Sequence, residues 1–273
     1  MVVANIPIPN NKFKSSKDCV ACPRTRNYSL IGTAFDYLFR SELKRLHPEA
    51  IENKFIAEYS ILLVDRYIKL RGYFPALNEQ IGEKELSAME NVAKKYKEKR
   101  AAFLSNGILT TDFVEATIRF ARMDSIYRAG VYDDVERVVD PLDIEDMIAL
   151  YKLIPERFKE TSVPILLDPT FGKASNIVGG ADVDFIIGDT MIDIKTTRKM
   201  KLDEYIWSQI VGYLVLADEA HRNEGIIPKI ENLGLYFSRY GSLWTIRASY
   251  VRENPNYEKV RKKLLKGVHQ LKI

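Results

Sequence analysis

The sequence predicts a mixed α/β fold carrying a large helical block, and three observations predict it. Residues 50–160 repeat apolar side chains at helical spacing with few breaks. From Ser162 onward the texture changes to short apolar runs bounded by Gly, Pro and Asp, which is strand composition. One long helical pattern then separates two pairs of such runs, as expected of a sheet with helices packed on it. At 273 residues, 46% hydrophobic and 29% charged, the chain has the balance of a globular protein with a substantial core.

Residues 1–28 read as irregular. Ile31, Ala34, Phe35, Leu38, Leu43 and Leu46 then share one face of a first helix, with Ser29 as its expected N-cap. Four helices follow in the segments 55–70, 83–103, 112–127 and 142–154, separated by breaks near Gly72–Pro75, Gly107, Gly130 and Pro141. Strands are expected in VPILLDPTF (163–171), GADVDFII (180–187) and TMIDIKTT (190–197). A helix over 203–224 leads to a hairpin, LGLYFS and SLWTIRAS, turning at Arg239-Tyr240-Gly241, and the segment 258–271 reads as a last, basic helix. The expected organisation is an N-terminal segment with a first core helix (1–48), a helical insertion (49–160) and an α/β core with the basic helix (161–273).

The pair of strands over 180–197 carries unusual charge. A two-residue Gly188-Asp189 turn fixes a register in which residue numbers sum to 377. Asp184 then opposes Asp193 and Asp182 opposes Lys195, with all four on one face because side chains alternate along a strand. Opposed residues have Cβ atoms about 4.5–5.5 Å apart, so two ionised aspartates there repel and call for a positive partner. Lys195 supplies one charge. A hard divalent ion such as Mg²⁺, which takes one or two carboxylates and keeps several waters, supplies the rest. Downstream, Gln209 and Tyr213 stand four apart and share a helix face in an otherwise apolar run.

Together these residues resemble the PD-(D/E)xK nuclease superfamily, most closely its RecB-like branch. The motif residues are Asp184, then Asp193-Ile194-Lys195, then the Gln209–Tyr213 pair; Asp182 is the alternative to Asp184. The resemblance implies a restriction-endonuclease-like core, a central mixed sheet flanked by helices, covering about 29–46 and 162–250. It implies metal-dependent hydrolysis of DNA phosphodiesters with Mg²⁺ or Mn²⁺. Asp184, Asp193 and the Ile194 carbonyl would be ligands, Lys195 catalytic, and Gln209 and Tyr213 supporting groups. In GTAFD, Asp36 stands where the branch often has a metal-binding histidine, which makes it a further candidate ligand. Some CRISPR-associated relatives hold an iron–sulfur cluster on four cysteines; this chain has two, Cys19 and Cys22, too few for such a cluster within one chain.

Composition narrows the rest. The net charge of +4 is mild, but residues 253–273 hold six basic and two acidic side chains, so the tail alone accounts for it. AKKYKEKR at 93–100, Arg119, Arg122 and that tail are the candidates for gripping phosphate. No G-x-x-x-x-G-K-[ST] occurs, so a helicase motor would be a separate partner or part of a defence complex. Three scattered histidines and the lack of G-x-S-x-G disfavour a serine hydrolase. No apolar run approaches 18 residues and the N-terminus lacks a signal peptide's apolar core, so the expected setting is cytoplasmic, with no membrane partner. The expected activity is a DNA nuclease acting in repair, defence or mobile-element processing, with a homodimer as one possible assembly. The alternatives are a non-catalytic nucleic-acid-binding or assembly protein on the same fold, or a small-molecule phosphohydrolase.

Overall fold

The computed structural model describes residues 6–9, 19–70, 81–158 and 160–266. The chain divides into two compact units: Met1–Val20, Glu49–Glu52 and Thr161–Ile273 form one, Ala21–Pro48 and Asn53–Glu160 the other. The break expected at Gly72–Pro75 and the last residues of the basic helix lie outside the described residues.

The second unit is helical. Helix α1 (Tyr28–Leu46) packs on α3 (Glu83–Asn106), α4 (Thr111–Ala121) and α6 (Pro141–Tyr151). Helix α2 (Ile56–Leu70) packs on α3 and on the short α5 (Asp124–Ala129). α1 starts two residues earlier than Ser29 would set it, with Asn27 at the N-cap position, so Ser29 lies inside the first turn. The single helix expected over 112–127 is two. Thr110 caps α4 through Phe113 N–H, and the chain turns at Arg122–Met123, where Met123 N–H bonds Phe120 O and Ser125 Oγ bonds Arg122 O at 2.8 Å. α3 ends at Gly107, whose φ of 71° is the left-handed conformation that favours glycine. The centre is aromatic: Phe55 meets Tyr37 edge-on at 4.6 Å, Tyr96 stacks on Phe120 at 4.2 Å, and the Arg40 guanidinium lies 4.0 Å over the Phe55 ring.

The first unit holds a six-stranded mixed sheet in the order β1-β2-β3-β4-β5-β6, flanked by helices. The strands are β1 (Ile51–Glu52), β2 (Ile165–Leu167), β3 (Phe185–Ile187), β4 (Thr190–Lys195), β5 (Asn232–Phe237) and β6 (Ser242–Arg247). β1–β2 and β4–β5 are parallel, and the other pairs are antiparallel. The parallel β4–β5 step requires a crossover, supplied by α8 (Glu204–Glu224), which Asp203 caps through Ile206 N–H at 3.0 Å. Ile186, Met191, Leu233, Leu235 and Phe237 on one sheet face pack with Trp207, Ile210, Val211 and Leu214 of α8. Fully burying each such side chain contributes about 1.5–3 kcal/mol. Three short helices complete the unit: α7 (Lys173–Ile177), α9 (Ser249–Arg252) and α10 (Tyr257–Lys266).

β3 pairs β4 through Phe185–Ile192, Ile186–Met191 and Ile187–Thr190, the register that a two-residue turn dictates. Gly188 takes φ 59° at the first turn position, as a II′ turn requires. Both flanking strands are shorter than their apolar composition suggests. β2 stops at Leu167 because Asp168 takes φ 54° and Pro169 has no N–H to continue the ladder. β3 starts only at Phe185, and Asp182 retains a single bridge to Thr170.

Candidate functional site

The candidate site lies on the α8 side of the sheet, where β4 ends. Met191 and Ile186 fill the closed part of that face, and continuing the same alternation brings Asp193 and Lys195 to its end. Asp193 is buried to 5% exposure. Its carboxylate is ion-paired with the Lys195 ammonium. The Lys195 Nζ also donates to Gln209 Oε1 at 2.8 Å, and Gln209 Nε2 donates to the Tyr213 hydroxyl at 2.8 Å. Residues 209 and 213 are one helical turn apart, so α8 presents both toward β4. Tyr213 packs its ring against Phe171 with centroids 5.7 Å apart.

Asp184 stands just before β3, where the register continues to Asp193. Its carboxylate accepts the Ile194 N–H. Ile194 thus ties the two aspartates together through the backbone, while its side chain faces away from them. Asp182 is close enough for its charge to act on both Asp193 and Tyr213.

The electrostatics follow from this crowding. Burial pushes the Asp193 carboxyl up, Lys195 pulls it back, and Asp182 pushes it up again. Burial also raises the Tyr213 phenol, with Asp193 as the next cause and Asp182 and Asp184 adding to it. Tyr213 therefore stays protonated. Gln209 occupies one of its oxygen lone pairs, which leaves its O–H proton to be donated.

Asp184, Asp193, Lys195, Gln209 and Tyr213 form one connected group, with Asp182 beside it. Asp36 belongs to the helical unit, on α1. Among the described residues no group of three or more His, Cys, Asp or Glu side chains converges closely enough to cage a metal. The two-carboxylate set still suits a hard cation that keeps most of its waters. Asp193 is a buried oxygen donor whose negative charge is opposed by burial and by Asp182, and an added cation relieves both.

Asp168 was not singled out from the sequence. Its N–H donates to Asp184 O at 2.8 Å, its side chain is 7% exposed, and it is the one non-glycine with positive φ among the described residues. A residue before proline disfavours that conformation, so strain is held beside Asp184. The signal was the Asp-Pro step in LLDPT. No family model, curated protein or solved structure matches the chain.

Proposed function

We propose that the protein is a metal-dependent deoxyribonuclease of the PD-(D/E)xK type, with a restriction-endonuclease-like core, hydrolysing phosphodiester bonds. The observation that carries this reading is the connected group at the end of β4. It comprises one carboxylate on β4 and one just before its antiparallel neighbour β3, a lysine paired with the first, and a Gln–Tyr pair that fixes the lysine.

Asp184 and Asp193, with the Ile194 carbonyl, would hold Mg²⁺ or Mn²⁺. When bound, such an ion supplies Lewis acidity toward water and phosphoryl oxygens. The chain's own residues do the remaining work. Lys195 is held by Asp193 on one side and Gln209 on the other, so its ammonium is oriented before substrate arrives. It orients the attacking water and stabilises charge that develops on the phosphoryl oxygens, at little reorganisation cost. Gln209 passes the same constraint to Tyr213, whose retained proton is a donor toward a phosphate oxygen. Asp184, anchored by Ile194 N–H, keeps its separation from Asp193 fixed.

The experiment is cleavage of linear and circular DNA, single- and double-stranded, with Mg²⁺, Mn²⁺ or EDTA, wild type beside Lys195→Ala. Metal-dependent cleavage that the variant loses supports the reading. Binding without cleavage by wild type moves it to a non-catalytic DNA-binding protein.

A further inference from the structure

The loop that follows Lys195, TTRKMKL over 196–202, holds three cations and no carboxylate; the next one, Asp203, is committed to capping α8. Arg198, Lys199 and Lys201 are all exposed. Among the described residues none of these three side chains has an ion-pair or hydrogen-bond partner. Three other cations of the same unit are neutralised: Lys229 pairs with Glu231 at 2.6 Å, Arg252 with Asp218 at 2.6 Å and Arg261 with Glu219 at 2.9 Å. Among the described residues, the exposed lysines of α10 (Lys259, Lys262, Lys263 and Lys266) form another unneutralised group in the unit, on a helix face rather than at the end of a strand.

The loop is also held in place. Tyr240 OH donates to Arg198 O at 2.5 Å, Thr197 Oγ1 donates to Lys199 O at 2.9 Å, and Ser238 Oγ bonds Thr196 Oγ1 at 2.9 Å. A fixed backbone lowers the ordering cost of binding through these side chains. The loop leaves the carboxyl end of β4, which is parallel to β5, and ligands of open α/β sheets bind at carboxyl ends of parallel strands. Arg198 to Lys201 spans at most about 10 Å of chain. That matches the rise of about three nucleotides at about 3.4 Å each in one strand.

We propose that residues 196–201 are a phosphate-backbone strap that grips the DNA strand beside the bond to be cleaved. The proposal rests on the nuclease reading for its substrate but is tested without catalysis. Binding of fluorescein-labelled duplex and single-stranded DNA is followed by anisotropy in EDTA across a salt series. Three proteins are compared: wild type, Arg198→Gln/Lys199→Gln/Lys201→Gln, and a control that removes the same charge from α10, Lys259→Gln/Lys262→Gln/Lys263→Gln. Each lost phosphate contact lowers the slope of log K against log[salt] by about 0.9 on duplex DNA. The strap variant is expected to lose about 2–3 from that slope and the control less than about 1. The three single substitutions are each expected to lose about 0.9, which covers the case of a poorly folded triple variant. DNA binding with an unchanged slope in the strap variants overturns the strap and leaves the nuclease reading intact. Equal losses in strap and control variants also overturn it, in favour of bulk charge. Wild type that binds neither DNA overturns the strap, and the cleavage assay then decides the nuclease reading separately.

Discussion

Asp124 in the helical unit and Asp193 in the sheet are both 5% exposed, and burial raises the pKa of each. Their surroundings separate them. Asp124 is closed off by neutral and cationic partners. The Tyr37 hydroxyl donates to it, Arg128 stands 3.6 Å away, and Tyr37 in turn accepts the Ala57 N–H at 3.1 Å. Asp193 has one cation and further carboxylates, and the cation is shared with Gln209 on a different element. A buried, upward-shifted carboxylate therefore does not mark a site by itself. What sets Asp193 apart is like charges gathered beside one shared lysine, an arrangement from which folding alone gains little.

The comparison breaks most visibly in activity. Asp193→Ala is expected to abolish metal-dependent cleavage and Lys195→Ala to reduce it by about 10²–10³-fold. Asp124→Asn, although equally buried, is expected to leave cleavage within about twofold of wild type. A gel assay on one substrate reads all three.

Stability should respond in the opposite sense. Phe55 sits under the Arg40 guanidinium and against Tyr37, Tyr96 and Phe120. Phe55→Ala is expected to cost about 3–5 kcal/mol in urea unfolding, through the cavity it leaves.

The pH dependence of the helical unit is a third test. The Asp124 carboxyl rises from its ordinary 3.8 to about 6 in the fold, chiefly through burial. The folded state thus holds a proton that the unfolded state releases. That contribution is complete below about pH 3.8 and is lost as pH rises through about 6, by at most about 3 kcal/mol. The difference in unfolding free energy between wild type and Asp124→Asn, measured from pH 4 to pH 7, should trace that loss.

The smallest expected effect is at the hairpin turn. Gly188→Ala places a side chain at φ 59° with its Cβ 3.0 Å from a Val163 methyl. A cost of about 1–2 kcal/mol is expected from the backbone conformation, read as a lower Tm.

Much of the sheet was legible because its signals are local. Gly188-Asp189 fixes the β3–β4 register, and the apolar alternation of MID and FII sets which side chains face α8. Asp203 and Gly225 bracket α8 as cap residues do, so the placement of Gln209 and Tyr213 on one helix face could be read in advance. What was not legible depends on groups distant in sequence or on backbone strain. β1 is two residues that exist only as partners of β2, and no pattern of two residues can be seen. The division of 112–127 into α4 and α5 is stabilised by Arg122, which reaches the carbonyls of Asp134 and Arg137. Asp168 escaped notice because a residue before proline is expected to be extended, and here it is not.

The most direct measurement is Mn²⁺ binding by electron paramagnetic resonance, titrating wild type and Asp184→Asn/Asp193→Asn at constant pH. The account predicts loss of the free Mn²⁺ signal on wild type and little loss on the double variant, with both proteins showing the same far-UV circular dichroism. Equal Mn²⁺ binding by the two folded proteins, or none by wild type, would contradict a divalent-cation site between Asp184 and Asp193.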